Sequence, residues 1–309
     1  MRVFRFLMII CVLPLASPAL LAQTAADLLN WTRTHLDRGN CDDAKETYEL
    51  YKEKVPQGNA EVERRIAECG KAGGLTQTTL YMSDGKYVGA AKNGQPNGQG
   101  TFYWTDGDKY VGNWENGEKS GQGTYYFANG NKYVGNWQNG ERSGQGTMTW
   151  KSGSKYVGNW ENGKMSGQGT YYFANGDKYV GNWENDKMSG QGTFYWTDGD
   201  KYVGNWENDK MSGQGTYYFA NGDKYVGNWQ NGERSGQGTM TWKSGSKYVG
   251  NWENGVRNGQ GTYYFADGDV DTGTWVNDNR NGSFVRKNTS GKVYYATYSN
   301  GKITVNWHE

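Results

Sequence analysis

The stretch YVGNWENG, residues 110–117, returns as YVGNWQNG at residues 133–140 and again as YVGNWENG at residues 156–163, a step of 23 residues each time. The first residue of the phrase continues in phase through Tyr179, Tyr202, Tyr225 and Tyr248, begins at Tyr87, and passes into altered copies at Asp271 and Tyr294. Gly89 to Gly273 and Trp114 to Trp275 recur in the same frame, with Ala91 and Tyr298 as terminal exceptions. About ten copies in register describe a repeat protein, in which each copy is one supersecondary unit.

A second period overlies the first. TFYWTDGDKYVGNWEN occurs at Thr101 and Thr193, and TMTWKSGSKYVGNWENG at Thr147 and Thr239, each pair 92 residues apart. Over residues 101–146 against 193–238 only four positions differ, so a four-repeat cassette has been duplicated with little change.

Each copy has the texture of a β-hairpin: aromatic and β-branched residues flank Asn-Gly or Asp-Gly, as in GTYYFANGNKYVGNW at residues 123–137. Asn-Gly suits a type I′ turn, which needs φ > 0 at both central residues. The turn is therefore expected at Asn129-Gly130, with GERSGQG (residues 140–146) as the loop to the next hairpin. Period-2 alternation puts Tyr133, Gly135 and Trp137 on one face and Val134 and Asn136 on the other. Gly135 leaves a hole that rings of the next unit are expected to fill. One such unit cannot bury its aromatic face alone, whereas stacked units can. The expected fold is all-β: an elongated, single-sheet antiparallel meander of about ten 23-residue hairpins, preceded by a small α-helical segment. At two strand spacings per unit, ten units would span about 90–100 Å.

Composition agrees with this reading. Aliphatic residues are few, but the 309-residue chain holds 24 Tyr and 14 Trp, which disordered segments lack. With 33 basic and 32 acidic side chains there is no basic footprint for nucleic acid.

The chain ahead of the repeats divides in three. Arg2 and Arg5, an apolar run from Phe6 to Leu15 and small residues up to Ala22 have the layout of a secretory signal peptide, residues 1–22, with Ala19 as the alternative cleavage position. The run is short of the ~20 apolar residues a membrane span needs, although an uncleaved anchor is the competing reading. Ile10 before Cys11 does not suit a lipoprotein signal. The expected location is outside the cytoplasm: periplasmic, cell-surface or secreted, with membrane association included. Residues 23–72 have helical spacing, with stripes Leu28–Trp31–His35–Leu36, Ala44–Tyr48–Tyr51 and Val62–Ile66–Cys69, and Asn40 as a cap. An exported protein with two remaining cysteines is expected to join Cys41 to Cys69, closing an antiparallel helical pair. This pair resembles one tetratricopeptide-like hairpin. Residues 73–80 are expected to be a linker, 81–282 the array, and 283–309 a degenerate terminal cap.

The frame Tyr-x-Gly-x-Trp-x-Asn-Gly-x-x-x-Gly-x-Gly, seen intact from Tyr156 to Gly169, resembles the MORN repeat (membrane occupation and recognition nexus). The resemblance implies a meander used for protein contacts, dimerisation or tethering near membranes. Some phosphoinositide kinases carry such repeats beside a kinase domain, but too few residues lie outside the repeats here to form one.

Chemical motifs are scarce. SGQG and NGQG are not phosphate-cradling loops, because strand-like residues follow them rather than a helix; turn glycines are the expected reading. TDGD (residues 105–108) and ANGD (174–177) offer oxygen ligands for calcium, but the turn itself explains Asp and Asn there. His35 and His308 are the only histidines, so no nucleophilic triad can be drawn. No catalytic, cofactor or metal-binding residue is therefore assigned. The ladder Tyr110, Trp114, Tyr133, Trp137, Tyr156, Trp160, Tyr179, Trp183, Tyr202, Trp206, Tyr225, Trp229, Tyr248 and Trp252 has two readings. It is the core of the sheet, or an exposed platform for sugar rings. It is similar to the aromatic-glycine repeats of bacterial choline- and glucan-binding modules, though the Gly-x-Gly element fits MORN better. Anionic lipid needs clustered Lys and Arg, and residues 170–192 carry Lys178 and Lys187 against Asp177, Glu184 and Asp186. The functional expectation is an exported, non-enzymatic scaffold for a protein partner or envelope component, open to homodimerisation. The alternative is a carbohydrate- or phospholipid-binding module.

Overall fold

The structure is a computed structural model that describes residues 18–37, 41–69 and 75–309. Most of the segment read as a signal peptide, and residue Asn40, therefore lie outside the described residues, as does the side chain of Cys41. Three helices come first: α1 (Pro18–Asp37), α2 (Cys41–Lys54) and α3 (Ala60–Glu68). Asn59 caps α3, its side chain accepting the Val62 N–H at 3.1 Å. Leu28, Leu36, Ala44, Tyr48, Tyr51 and Val62 form the buried core of this helical part, and Ile66 and Cys69 pack against it. Trp31, expected on the buried stripe, is exposed instead.

The strands follow in chain order: β1 (Thr76–Met82), β2 (Gly85–Lys92), β3 (Gln95–Trp104), β4 (Lys109–Glu115), β5 (Glu118–Tyr126), β6 (Lys132–Gln138) and β7 (Glu141–Thr149). Then come β8 (Lys155–Glu161), β9 (Lys164–Tyr172), β10 (Lys178–Glu184), β11 (Lys187–Tyr195), β12 (Lys201–Glu207), β13 (Lys210–Tyr218) and β14 (Lys224–Gln230). The last are β15 (Glu233–Thr241), β16 (Lys247–Glu253), β17 (Val256–Tyr264), β18 (Val270–Val276), β19 (Asn279–Lys287), β20 (Val293–Ser299) and β21 (Lys302–His308). The chain divides into two units, residues 1–128 with 137–140, and residues 129–136 with 141–309. The first holds the helices and β1–β5, and the second holds β7–β21. Within each, every described pairing is antiparallel and joins neighbours in sequence, the order of a meander. The all-β expectation therefore holds. β1 occupies most of the stretch read as a linker and pairs with β2 along its whole length.

The two connections of each repeat are the reverse of the sequence expectation. Tight two-residue turns lie at the Asn-Gly of NWENG: Asn116 and Gly117 have φ of 50° and 87°, so both central residues are left-handed as a type I′ turn demands. Asp replaces glycine at Asp186, Asp209 and Asp278, and its carboxylate offsets the backbone cost by accepting an N–H from the preceding repeat, Met165 N to Asp186 Oδ1 at 2.7 Å for example. The ANGD segment is a wider loop. In it the Phe173 N–H donates to Asp177 O, Gly176 N–H to Phe173 O, and Asp177 N–H to Asn175 Oδ1.

GERSGQG is correspondingly strand rather than loop. β11 has nine residues against the seven of β10, and the difference is a bulge. Gly181 faces Gly192 but Asn182 faces Ser189, leaving Gly190 and Gln191 unmatched on that side. On the other side Gly190 faces Trp206 and Gln191 faces Asn205. The bulge thus lets one strand keep register with two partners of different pitch.

Candidate functional site

The sheet presents two faces built from alternate residues of the same strands. On the aromatic face the ladder tyrosines are 0 % exposed and the ladder tryptophans 4–7 %. Each tyrosine lies edge-on between two tryptophans, one from its own strand and one from the next repeat. Tyr156 meets Trp160 at 5.3 Å and 86°, and Trp183 at 5.4 Å and 79°. Tyr110, Trp114 and Trp137 repeat this arrangement, as do Tyr202, Trp206 and Trp229 and Tyr225, Trp229 and Trp252. Edge-to-face pairs of this kind are worth roughly 0.5–1.5 kcal/mol beyond burial.

The hole beside each frame glycine is filled by the tyrosine of the same strand, not by rings of the next unit as expected. A Cβ on Gly135 would lie 2.6 Å from Tyr133 Oη, and one on Gly181 would lie 2.5 Å from Tyr179 Oη. The hydroxyl is thereby aimed at backbone: Tyr133 Oη donates to Asn136 O and Tyr179 Oη to Asn182 O, both at 3.0 Å. Burial raises the phenol pKa of Tyr133, Tyr156, Tyr179 and Tyr202, and raises it to about 12 at Tyr225 and Tyr248, where Arg234 and Arg257 partly oppose it. These rings are core. The exposed sugar platform read onto them does not exist on the folded chain.

Two further rows sit beside the ladder on the same face. Half-buried rings alternate as Trp and Phe in the segment before each wide loop, for example Phe173, Trp196 and Phe219. Tyr171 stacks on Phe173 at 4.5 Å and on Trp183 at 5.8 Å. The second residue after each tight turn covers a ladder tryptophan. Arg142 lies 4.3 Å over Trp160, Arg234 4.3 Å over Trp252 and Arg257 4.2 Å over Trp275, while Met165 and Met188 are buried at the equivalent positions. Burial lowers the pKa of Arg142 and Arg234.

The opposite face, here the valine face, is open. Val180 and Val203 are 39 % exposed and Tyr195 and Tyr218 are 40 % exposed, an unusual apolar content for a solvated sheet face. These rings lie outside the Tyr-x-Gly-x-Trp frame and are not part of the ladder read from the sequence. The signal was the second aromatic of TYY and TFY, seven residues before the next ladder tyrosine.

The loop oxygens are already engaged. Asp108 accepts the Ala128 N–H at 2.7 Å and the Tyr125 hydroxyl at 2.5 Å. Asp177 accepts the Thr197 N–H at 2.9 Å, and Asp200 the Ala220 N–H at 2.7 Å. The loop acids thus stitch one repeat to the next, and among the described residues no group of three or more His, Cys, Asp or Glu is disposed to hold a metal. His35 belongs to α1 and His308 to β21. No described helix is long and apolar enough to cross a membrane.

The last repeats depart from the pattern. Asp271 stands where the ladder tyrosine would be and is 0 % exposed. Arg286 meets it through two bonds at 2.6 and 2.9 Å, and Arg280 at 2.5 Å. Phe284 replaces the frame glycine opposite Gly273 and supplies the missing ring, itself 0 % exposed.

The MORN repeat family model matches nine consecutive segments: residues 87–109, 110–132, 133–155, 156–178, 179–201, 202–224, 225–247, 248–270 and 272–283. No curated protein sequence matches the chain. Among solved structures, the chain is similar to the TCP domain of SAS-4 (dCPAP) of Drosophila melanogaster, in complex with a proline-rich motif of Ana2 (dSTIL). Identity there is 12%, covering 58% of this chain and 84% of that one, at a TM-score of 0.30. It is also similar to the wild-type TCP10 domain of Danio rerio CPAP in complex with a peptide of Danio rerio STIL. Identity is 12%, covering 76% of this chain and 99% of that one, at a TM-score of 0.31.

Proposed function

The chain belongs to the MORN-repeat family, and from that premise we propose that it is an exported, non-enzymatic scaffold that offers a protein partner or envelope component a series of equivalent docking positions. One observation carries this reading: the same side chains return to the same face every 23 residues, so each accessible constellation exists in several copies. A catalytic centre is a single tuned constellation, whereas a duplicated cassette multiplies its surfaces. Export rests on Arg2, Arg5 and the apolar run that follows them.

The test is an in-register deletion. Removing Thr124–Gly215 takes out 92 residues and joins Gly123 to Thr216, which restores the frame. Stability in repeat arrays is approximately a sum of unit and interface terms, so the shortened chain should fold. Partner recovery in pull-downs from the native envelope should fall by degrees, through lost multivalency. Removing 91 residues should be far worse, because a one-residue slip turns the aromatic side chains to the wrong face. A shortened array that folds yet loses its partner outright would place a unique site within those repeats and sink the scaffold reading.

A further inference from the structure

The valine face carries one row with a defined chemical alternation. From β8 to β13, directly paired positions run Lys155, Tyr172, Lys178, Tyr195, Lys201 and Tyr218, one residue per strand. Cation and ring therefore alternate at about 4.8 Å, and cations repeat about every 9.6 Å. Each ammonium rests near its neighbour's ring: Lys155 at 5.5 Å from the Tyr172 centroid, Lys178 at 4.4 Å from Tyr195 and Lys201 at 4.2 Å from Tyr218. None of the three lysines forms an ion pair among the described residues. The nearby loop acids are turned to the next loop, Asp177 to the Thr197 N–H and Asp200 to the Ala220 N–H. Behind this row Val and Thr alternate, as in Val180 opposite Thr193. Behind that, amides join strand to strand, Gln168 to Asn182 and Gln191 to Asn205.

We propose that this face of β8–β13 binds a linear acidic polysaccharide carrying one carboxylate per disaccharide, with carboxylates on Lys155, Lys178 and Lys201 and sugar rings over the tyrosine and valine positions. The row places one residue on each successive strand, so its charges recur at a regular spacing, which suits a polymer of regular charge. Its lysines form no ion pair among the described residues, which leaves their ammonium groups open to an anionic ligand. Half-exposed rings and aliphatic side chains suit the C–H faces of sugars, and the threonine hydroxyls and amides beside them suit sugar hydroxyls. A peptide laid across this face would find no backbone partners, since these strands spend theirs on each other. A nucleic acid carries charge far more densely than one cation per ~9.6 Å can neutralise. The inference extends the reading of the chain as a scaffold for an envelope component but uses a face of its own. Failure here leaves the graded loss of a protein partner standing.

The experiment is titration calorimetry of the full chain with hyaluronan, with carboxyl-reduced hyaluronan, and with poly-dT. Binding to hyaluronan and at least tenfold weaker binding to the other two are expected. Lys155→Gln/Lys178→Gln/Lys201→Gln should weaken hyaluronan binding roughly tenfold, the loss of three surface charge contacts. Arginine at the same three positions should retain it. Lys164→Gln/Lys187→Gln/Lys210→Gln removes equal charge beside the tight turns and should bind as the parent does. The proposal is overturned by no binding to hyaluronan, by equal binding to the carboxyl-reduced polymer or to poly-dT, or by equal effects of the two glutamine triples.

Discussion

Tyr179→Ala and Gly192→Phe, singly and together, test whether ring and glycine are one packing unit. A Cβ on Gly192 would lie 2.5 Å from both Cε2 and Cζ of Tyr179, so a phenylalanine there must displace the tyrosine ring. Removing a fully buried aromatic costs about 3–5 kcal/mol. Tyr179 also donates to Asn182 O at 3.0 Å, whose loss adds about 1 kcal/mol. Gly192→Phe alone should cost a similar amount, because expelling the ring forfeits the same contacts. The double variant supplies a ring and the room for it. The chain has already made this exchange at Asp271 and Phe284, where Phe284 meets Trp275 edge-on at 5.6 Å and 84°. The double variant should therefore fall short of the sum of the singles by at least about 1.5 kcal/mol, well above the ~0.5 kcal/mol scatter of independent sites. Hydrogen exchange of peptides covering β10 and β11 in the full chain reads the local opening free energy without assuming two-state unfolding. Additivity within about 0.5 kcal/mol would refute the account of the glycine pair.

Raised phenol pKa values make the folded array bind protons that the unfolded chain gives up above pH ~10, so stability is full below that pH and is lost as pH climbs through the folded values. For Tyr225 and Tyr248 the window is about 10 to 12; a fluorescence melt whose midpoint is the same at pH 9 and pH 11 would contradict it. Exported protein should begin near Gln23, and N-terminal sequencing that returns Met1 would remove the signal reading. Cys41 and Cys69 should be found linked in non-reducing peptide maps; two free thiols would reject the bridge.

The ladder was legible because its constraint is local and periodic. Alternation within YVGNW fixes the face of each residue, and repetition at a constant step makes chance agreement untenable. The connections were misassigned because repeats such as residues 110–132 and 156–178 offer two Asn-Gly dipeptides each, and dipeptide chemistry alone does not choose between them. Strand length chooses: Asn116-Gly117 joins β4 to β5 with no spare residue, whereas residues 127–131 need five to make the other crossing. SGQG was hidden as strand because its glycines look like loop. They serve a bulge and a close approach, and both depend on the neighbouring strand. The valine-face row was invisible for the same reason. Lys178 and Tyr195 are 17 positions apart, and only the register places them side by side.

Uniform backbone does not make a uniform surface. Burial of the tyrosine ring against two facing glycines leaves nothing variable at those positions, so difference between repeats is forced outward to the residue that covers the ladder tryptophan. There the choices travel in pairs. Arg142 reaches Gly163 O and Arg234 reaches Gly255 O, each at 2.5 Å, so a guanidinium satisfies the carbonyl of the next glycine turn. Met165 and Met188 cannot do so, and the next turn carries Asp186 or Asp209, whose carboxylate instead takes the methionine N–H. Arg257 with Asp278 combines both devices in an ion pair at 2.8 Å. Either solution closes the repeat, but one leaves a cation over tryptophan and the other a thioether. β9–β13 therefore carry thioethers on the aromatic face, and β15–β19 carry guanidiniums, of which Arg257 and Arg280 are ion-paired. A partner that spans several repeats meets a chemical direction along an otherwise repeating scaffold, which allows one docking register to be preferred without any unique site.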